Sequence, residues 1–382
     1  MRFIDTTSED LMSDQVKLTY GDSGVPYEDL DAFKVLAQDA ARRTAANLNR
    51  FPGFHEVPWS RGESAYLIET PWCYLAHVEE GLGTKVLVAD ELFRDLGASY
   101  YSFIAQDTVA MIVNDMLTLG AMPLSIAMHL AVGDADWLTN QSRNMHLVSG
   151  WKYACDLAGA SWGCGETPAL TDIVYPHTAV LSGSAMGIVM PKGNVIKTCI
   201  QHDDAIVIVR SNGIHANGLS LARRVAAKLP RRYETQMPDG RTFGEALLQP
   251  TPIYRRLIEA CLKSGLDIHA LVNITGHGWR KLMRAQEPFV YVVETLPEPQ
   301  AEFLFMQQEG PIDDEEAYRT FNMGAGFAFI IPAKEVEWLF TMADAHEATA
   351  LCVGHVEKCG DEKRVEILPK NIVYHAKELQ IR

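Results

Sequence analysis

EEGLGTKVL, residues 79–87, sets two glycines and a lysine directly behind a run that reads as a strand. The strand signal covers Trp72–Val78, and a shorter one precedes it at Tyr66–Ile68. Gly81 and Gly83 would let backbone N–H groups approach an anion, and Lys85 would add a point charge. The spacing matches neither GxxxxGK[ST] nor GxGxxG, the two common nucleotide fingerprints. Taken alone, the stretch is most simply a turn between strands.

Its weight grows beside QDTVAMIVNDMLTLGAMPL, residues 106–124. Apolar Val109, Ile112, Val113, Met116 and Leu117 recur at helical spacing from Asp107 to Leu119, and Gly120 supplies a stop. Asp107 and Asn114 are nearly two turns apart and share one face; Asp115 is offset by roughly 80°. Oxygen-bearing side chains on an apolar helix suit a Mg²⁺–nucleotide site, because hard cations take oxygen ligands. The competing reading makes Asp107 a helix cap and turns Asn114 and Asp115 to water.

The chain is 382 residues long, enough to expect two domains. Hydrophobic content of 47% with 22% charged residues describes a globular protein. The net charge of −15 argues against general nucleic-acid or anionic-membrane binding, so anionic small ligands would need locally placed cations and N–H groups. No apolar run reaches the ~18 residues of a membrane span, and MRFIDTTSEDLMSDQ is acidic with no apolar signal core. Seven cysteines without CxxC pairs suit a reducing compartment, and a cytoplasmic enzyme is expected.

Residues 1–16 read as a polar leader, 28–48 as a helix and about 137–158 as another, followed by the Gly-rich GASWGCGET. HTAVLSGSAMGIVM, 177–190, reads as a strand, and the turn-rich PKGN, 191–194, places a boundary between domains at 17–193 and 194–382. The second half opens on the strand DAIVIVRS, 204–211. It adds helices near 216–229 and 252–264 and strands near 325–332 and 351–356. Strands and helices mix in both halves, so an α/β or α+β fold is expected.

Further Gly-bearing turns carry polar residues: GCGETPAL (163–170) with Glu166 and Thr167, SNGIHANGLSLARR (211–224) with His215 before a helix, and NITGHG (273–278). Each alone reads as turn chemistry. In order, TYGDSGVPYED (19–29), EGLGTK (80–85), the 106–124 stretch, CGET (164–167), GIHANGLSLARR (213–224), LLQPTPIY (247–254), NITGHG and YRTFNMGAGF (318–327) resemble the aminoimidazole ribonucleotide synthetase, or phosphoribosylformylglycinamidine cyclo-ligase, family. The resemblance runs from about residue 19 to 360.

The resemblance implies two α/β domains, with N-terminal domains of two subunits pairing into a β-barrel, and a homodimer that binds ATP near the subunit interface. The implied reaction is ATP-dependent closure of formylglycinamidine ribonucleotide to aminoimidazole ribonucleotide in purine synthesis, with ATP and Mg²⁺ required and a small nucleotide as substrate. By resemblance, Gly81, Gly83, Thr84 and Lys85 face ATP phosphates, as do Asn114, Glu166 and Thr167. Asp22 and Gly24 lie in a segment expected to fold over ATP. Glu80, Asp107 and Asp115 are the implied metal ligands. His215, Lys85 and Asp107 are the implied catalytic groups, and His215, Asn217, Gly218, Thr275 and Gly276 face substrate.

The loops depart from the family pattern at Glu80 for Asp, Leu82 for Val, Cys164 for Gly, Ala216 for Ser, Asn273 for His and His277 for Gly, and at Pro168, Ala169 and Leu170 after CGET. They keep two alternatives open. One is a related ATP-dependent enzyme of the same superfamily acting on another amide or phosphate acceptor, and the other is a non-catalytic nucleotide-binding homologue.

Overall fold

A computed structural model describes residues 27–379. Its first sheet is built from residues 55–189. The strands are β1 (His55–Glu56), β2 (Tyr66–Glu69), β3 (Tyr74–Gly81), β4 (Met122–Val132), β5 (Ser161–Glu166) and β6 (Ala179–Val189), in the order β1-β2-β3-β6-β4-β5. All neighbours run antiparallel except β4 and β5. Helices α1 (Tyr27–Arg42), α2 (Lys85–Leu96), α3 (Tyr101–Leu117) and α4 (Gln141–Ala158) accompany it.

Alternation on β6 explains how this sheet uses its two faces. Ala179, Leu181, Ala185 and Val189 are buried under the helices, whereas Val180 and Met186 on the opposite face are exposed. Helix α3 covers the inner face and is buried along nearly its whole length. Its close seat depends on Gly187, where a Cβ would stand 2.2 Å from the Met116 sulfur. The helix starts six residues before Asp107, so that residue is interior and does not cap it.

GCGETPAL, 163–170, reads as a turn from sequence, yet Ser161–Glu166 is an edge strand parallel to β4. Glycine makes this pairing possible: a Cβ at Gly163 would meet the Ser125 hydroxyl oxygen at 2.2 Å. All six residues of the strand are exposed.

The second sheet contains β7 (Asp204–Arg210), β8 (Ala270–Asn273), β9 (Val290–Val293), β10 (Ala325–Pro332), β11 (Ala350–Glu357), β12 (Arg364–Ile367) and β13 (Ile372–His375). Their order is β13-β12-β9-β11-β7-β10-β8, antiparallel but for β9 and β12. Between Asp204 and Arg210 strand β7 is apolar, as is β10, and both are buried on both faces. Helices α5 (Leu219–Lys228), α6 (Phe243–Leu247), α7 (Arg255–Ser264), α8 (Ala301–Glu309), α9 (Asp314–Thr320) and α10 (Val336–Ala345) complete this half. One apolar core runs through both halves. Among the described residues no helix is long and apolar enough to cross a membrane.

Candidate active site at the seam of the two sheets

Polar residues of α2 and α3 stitch the halves together. Lys85, the first residue of α2, is fully buried; its Nζ lies 2.7 Å from an Asp107 carboxylate oxygen and donates to the His215 and Gln249 carbonyls at 2.8 Å each. Asp107 accepts from the Thr251 N–H at 2.9 Å and its hydroxyl at 2.5 Å. Asn114 donates to the Pro252 carbonyl at 2.8 Å and accepts from the Tyr254 N–H at 3.1 Å. The face that the helical spacing marked as polar therefore grips the segment QPTPIY, more than a hundred residues downstream.

The structure places three of the expected site residues in the interior. Lys85 and Asp107 pair with each other, Lys85 also bonds the His215 and Gln249 carbonyls and Asp107 also bonds Thr251, Asn114 bonds backbone alone, and none of the three lies on the wall of the open pocket. A fully buried ammonium needs a fully buried counter-charge, and Asp107 supplies it. His215 is also interior, in the left-handed region at φ 60°, with its Nε2 lacking a hydrogen-bond partner among the described residues. Burial, helped by the Lys85 charge, pushes its imidazole down to about 3, so the ring is neutral.

The pocket itself has a volume of about 420 Å³ and opens where the end of β3, the α3 face and the turn after β8 converge. Of the sequence-predicted residues it brings together Glu80, Asp115, Asn217, Thr275 and Gly276. Asn273 at the end of β8 donates to Asp115 at 2.8 Å, fixing one carboxylate oxygen. Glu80 is pushed up to about 7, first by desolvation and then by the negative charge of Asp115. Two carboxylates that repel each other at the mouth of a pocket are a fit for a hard divalent cation. Mg²⁺ in particular takes one or two carboxylates and completes its shell with phosphate and water. Among the described residues there is no three-member cluster of His, Cys, Asp or Glu around a common point, so the expected trio of Glu80, Asp107 and Asp115 does not form.

Gly81, Gly83 and Thr84 form the turn behind Glu80, and the Thr84 hydroxyl lies 3.2 Å from that of Ser220 on α5. Gly83 has φ 69° and open space where a Cβ would be, so backbone conformation is what calls for glycine there. Gly218, with φ 81°, precedes α5. Glu166 and Thr167 sit at the exposed edge of the first sheet, away from the pocket. Asp22 and Gly24 fall outside the described residues.

The sequence reading missed the basic side of the pocket. Lys34 of α1, and Lys281 and Arg284 of the 3-10 helix Gly278–Arg284, line it. Arg284 pairs with Glu63 at 3.4 Å and donates to the Gly62 carbonyl at 2.7 Å. Three basic residues, Arg280, Lys281 and Arg284, crowded behind a Gly turn in an acidic chain were the available signal. His277, noted only as a departure, is buried on the wall at φ 72°; burial, with Arg280 and Lys281 beside it, holds its imidazole down to about 3.

Two family descriptions match the chain: "AIR synthase related protein, N-terminal domain" over residues 62–189, and its C-terminal counterpart over 201–366. Among curated proteins, the phosphoribosylformylglycinamidine cyclo-ligase of Methanococcus maripaludis is 31% identical over 92% of this chain and 97% of its own length. That of Methanothermobacter thermautotrophicus is 32% identical over 91% and 97%. Among solved structures, AaThiL complexed with AMPPCP and TMP is 16% identical. It covers 80% of this chain and 87% of its own, with a TM-score of 0.54, a likeness of fold.

Proposed function

Because this chain belongs to the phosphoribosylformylglycinamidine cyclo-ligase family, we propose that it closes the imidazole ring of formylglycinamidine ribonucleotide, using ATP and releasing aminoimidazole ribonucleotide, ADP and phosphate. One observation carries the reading: the open pocket lies on the seam of the two family-matched halves, and both supply its walls. The halves are assigned as 17–193, for ATP binding and dimerisation, and 194–382, completing the site.

In this reading the amide oxygen of the substrate takes the γ-phosphoryl group of ATP. The amidine nitrogen then attacks the same carbon, phosphate leaves with that oxygen, and the nitrogen sheds a proton. Glu80 and Asp115 would hold Mg²⁺, which would supply positive charge against the nucleotide phosphates. Gly81, Gly83 and Thr84 back that region with their N–H groups. Asn217, whose Nδ2 is unpartnered among the described residues, faces substrate together with Thr275 and Gly276. Gly218 opens α5 toward a substrate phosphate. His215, kept neutral with Nε2 unpartnered among the described residues, is the group proposed to polarise the amide oxygen, and the proton shed at closure leaves on the phosphate. Lys85 and Asp107 are positioning residues, since the Lys85 ammonium holds the His215 carbonyl and thereby the 215–218 turn.

Pairing of two copies through the outer face of the first sheet is part of the proposal. That face carries an apolar groove of about 450 Å³ lined by Ile68, Leu75, Ala127, Cys164 and Met186. An enclosed partner sheet would cover these side chains and bring the Glu166–Thr167 edge into a nucleotide site shared between subunits. A cytoplasmic location goes with the biosynthetic role.

Purified protein given formylglycinamidine ribonucleotide, ATP and Mg²⁺ should release ADP and the aminoimidazole product in equal amounts. ATP binding without turnover would sink this assignment. His277, filling a wall of the pocket, favours a second reading, an enzyme of the same superfamily with another amide or phosphate acceptor. ADP release across a panel of acceptors separates the two.

A further inference from the structure

Lys281 is a buried ammonium with most of its donors unused. It sits on the 3-10 helix Gly278–Arg284, which is fixed by the Trp279 indole N–H on the Asn322 carbonyl and by the Arg280 guanidinium on the Glu378 carbonyl. From that fixed base the side chain reaches the pocket wall with only 7% of its surface exposed. Its Nζ donates to the Thr275 hydroxyl, and this is its one hydrogen bond among the described residues. An ammonium carries three donors, so two remain to be met. No described carboxylate forms an ion pair with it, although Asp115 and Glu80 stand near enough to attract it and Arg284 and Lys34 near enough to repel it. Lys281 thus marks the line between the acidic and basic sides of the pocket.

A charge this buried is costly unless an oppositely charged, hydrogen-bonding group meets it. No described residue supplies one at contact distance, and Lys281 lines the pocket. Building on the functional reading above, we propose that Lys281 is a ligand-binding residue whose ammonium takes a phosphoryl oxygen of the bound substrate. A divalent cation held by Glu80 and Asp115 would add positive charge to the same pocket. The Thr275 hydroxyl is the positioning partner of Lys281, holding Nζ toward the pocket before ligand arrives. Two sources share this phosphoryl chemistry, the nucleotide triphosphate and the ribose phosphate of the acceptor.

Binding measurements on the full chain separate them. Calorimetric titration with AMPPCP and Mn²⁺ forms one arm, and ribose 5-phosphate the other. Lys281→Met, with Lys281→Gln as a second variant, should weaken one arm tenfold to a hundredfold and change the other by less than threefold. The arm that loses affinity names the source. Melting temperature should hold or rise, because the variant removes an under-paired buried charge. Unchanged affinity in both arms overturns the inference. So does a fall in melting temperature with phosphate binding intact, which would make Lys281 a counter-charge for Glu80 and Asp115. Turnover is a separate readout: a wild-type protein that fails on formylglycinamidine ribonucleotide ends the cyclo-ligase reading and leaves both binding arms to judge Lys281.

Discussion

Replacing Lys85 with Met tests whether the conspicuous lysine of the glycine loop serves ligand or fold. The variant removes an ammonium that is fully buried and 2.7 Å from Asp107, along with its bonds to the His215 and Gln249 carbonyls. Asp107 would keep only its two Thr251 donors. Breaking a buried pair from one side costs about 3–5 kcal/mol. Because the pair joins two halves of a large chain, the useful measure is local opening, read by hydrogen exchange over residues 213–218 and 249–254. The stated cost predicts a loss of protection of roughly two to four orders of magnitude there. Lys85→Met combined with Asp107→Leu should recover most of it, since an apolar pair of similar bulk removes the stranded charge. If exchange in both segments stays within tenfold of wild type while AMPPCP affinity collapses, the positioning role is refuted and Lys85 is a phosphate ligand.

Other outcomes follow from the same geometry. Glu80→Gln or Asp115→Asn should weaken Mn²⁺ binding at least tenfold by calorimetry, and Asp107→Asn should leave it unchanged where the protein folds. The His215 imidazole is depressed to about 3 in the fold against about 6.5 unfolded, so the unfolded chain binds more protons between those values. Its contribution to stability is present above about 6.5 and is lost as pH falls toward 3; His215→Asn, which tolerates the left-handed backbone, should flatten that part of a melting-temperature profile. An unchanged slope would exclude His215 as a source of acid sensitivity. Met186→Glu, placing a charge on the exposed apolar face, should turn a dimer into a monomer in sedimentation velocity; a dimer that persists would locate the interface elsewhere.

What the sequence made legible divides along a physical line. Local regularities were readable: the spacing of apolar residues marks α3, the strand-like run 177–190 marks β6, and the run DAIVIVR marks β7. Helical geometry also put Asp107 and Asn114 on a common face. It could not say what meets that face, because the answer, QPTPIY, arrives by tertiary folding from far along the chain. Ser161–Glu166 misled for a related reason. Its glycines look like a turn until β4 lies beside them and leaves no room for side chains.

The same distinction sharpens the question at the mouth of the glycine loop. Glu80 and Lys85 are five residues apart and looked like parts of one phosphate cradle, yet α2 carries Lys85 into the interior while β3 leaves Glu80 at the pocket. On the reading proposed above, the cation that Lys85 was expected to bring to the ligand is Lys281, on the far side of the seam. A phosphate site assembled this way needs both halves in place before it carries any net attraction, since the first half alone presents Glu80 and Asp115 to an anion. Charge complementarity is then conditional on the seam. Lys85 and Asp107, which hold that seam closed, would control ligand affinity from a distance without touching the ligand.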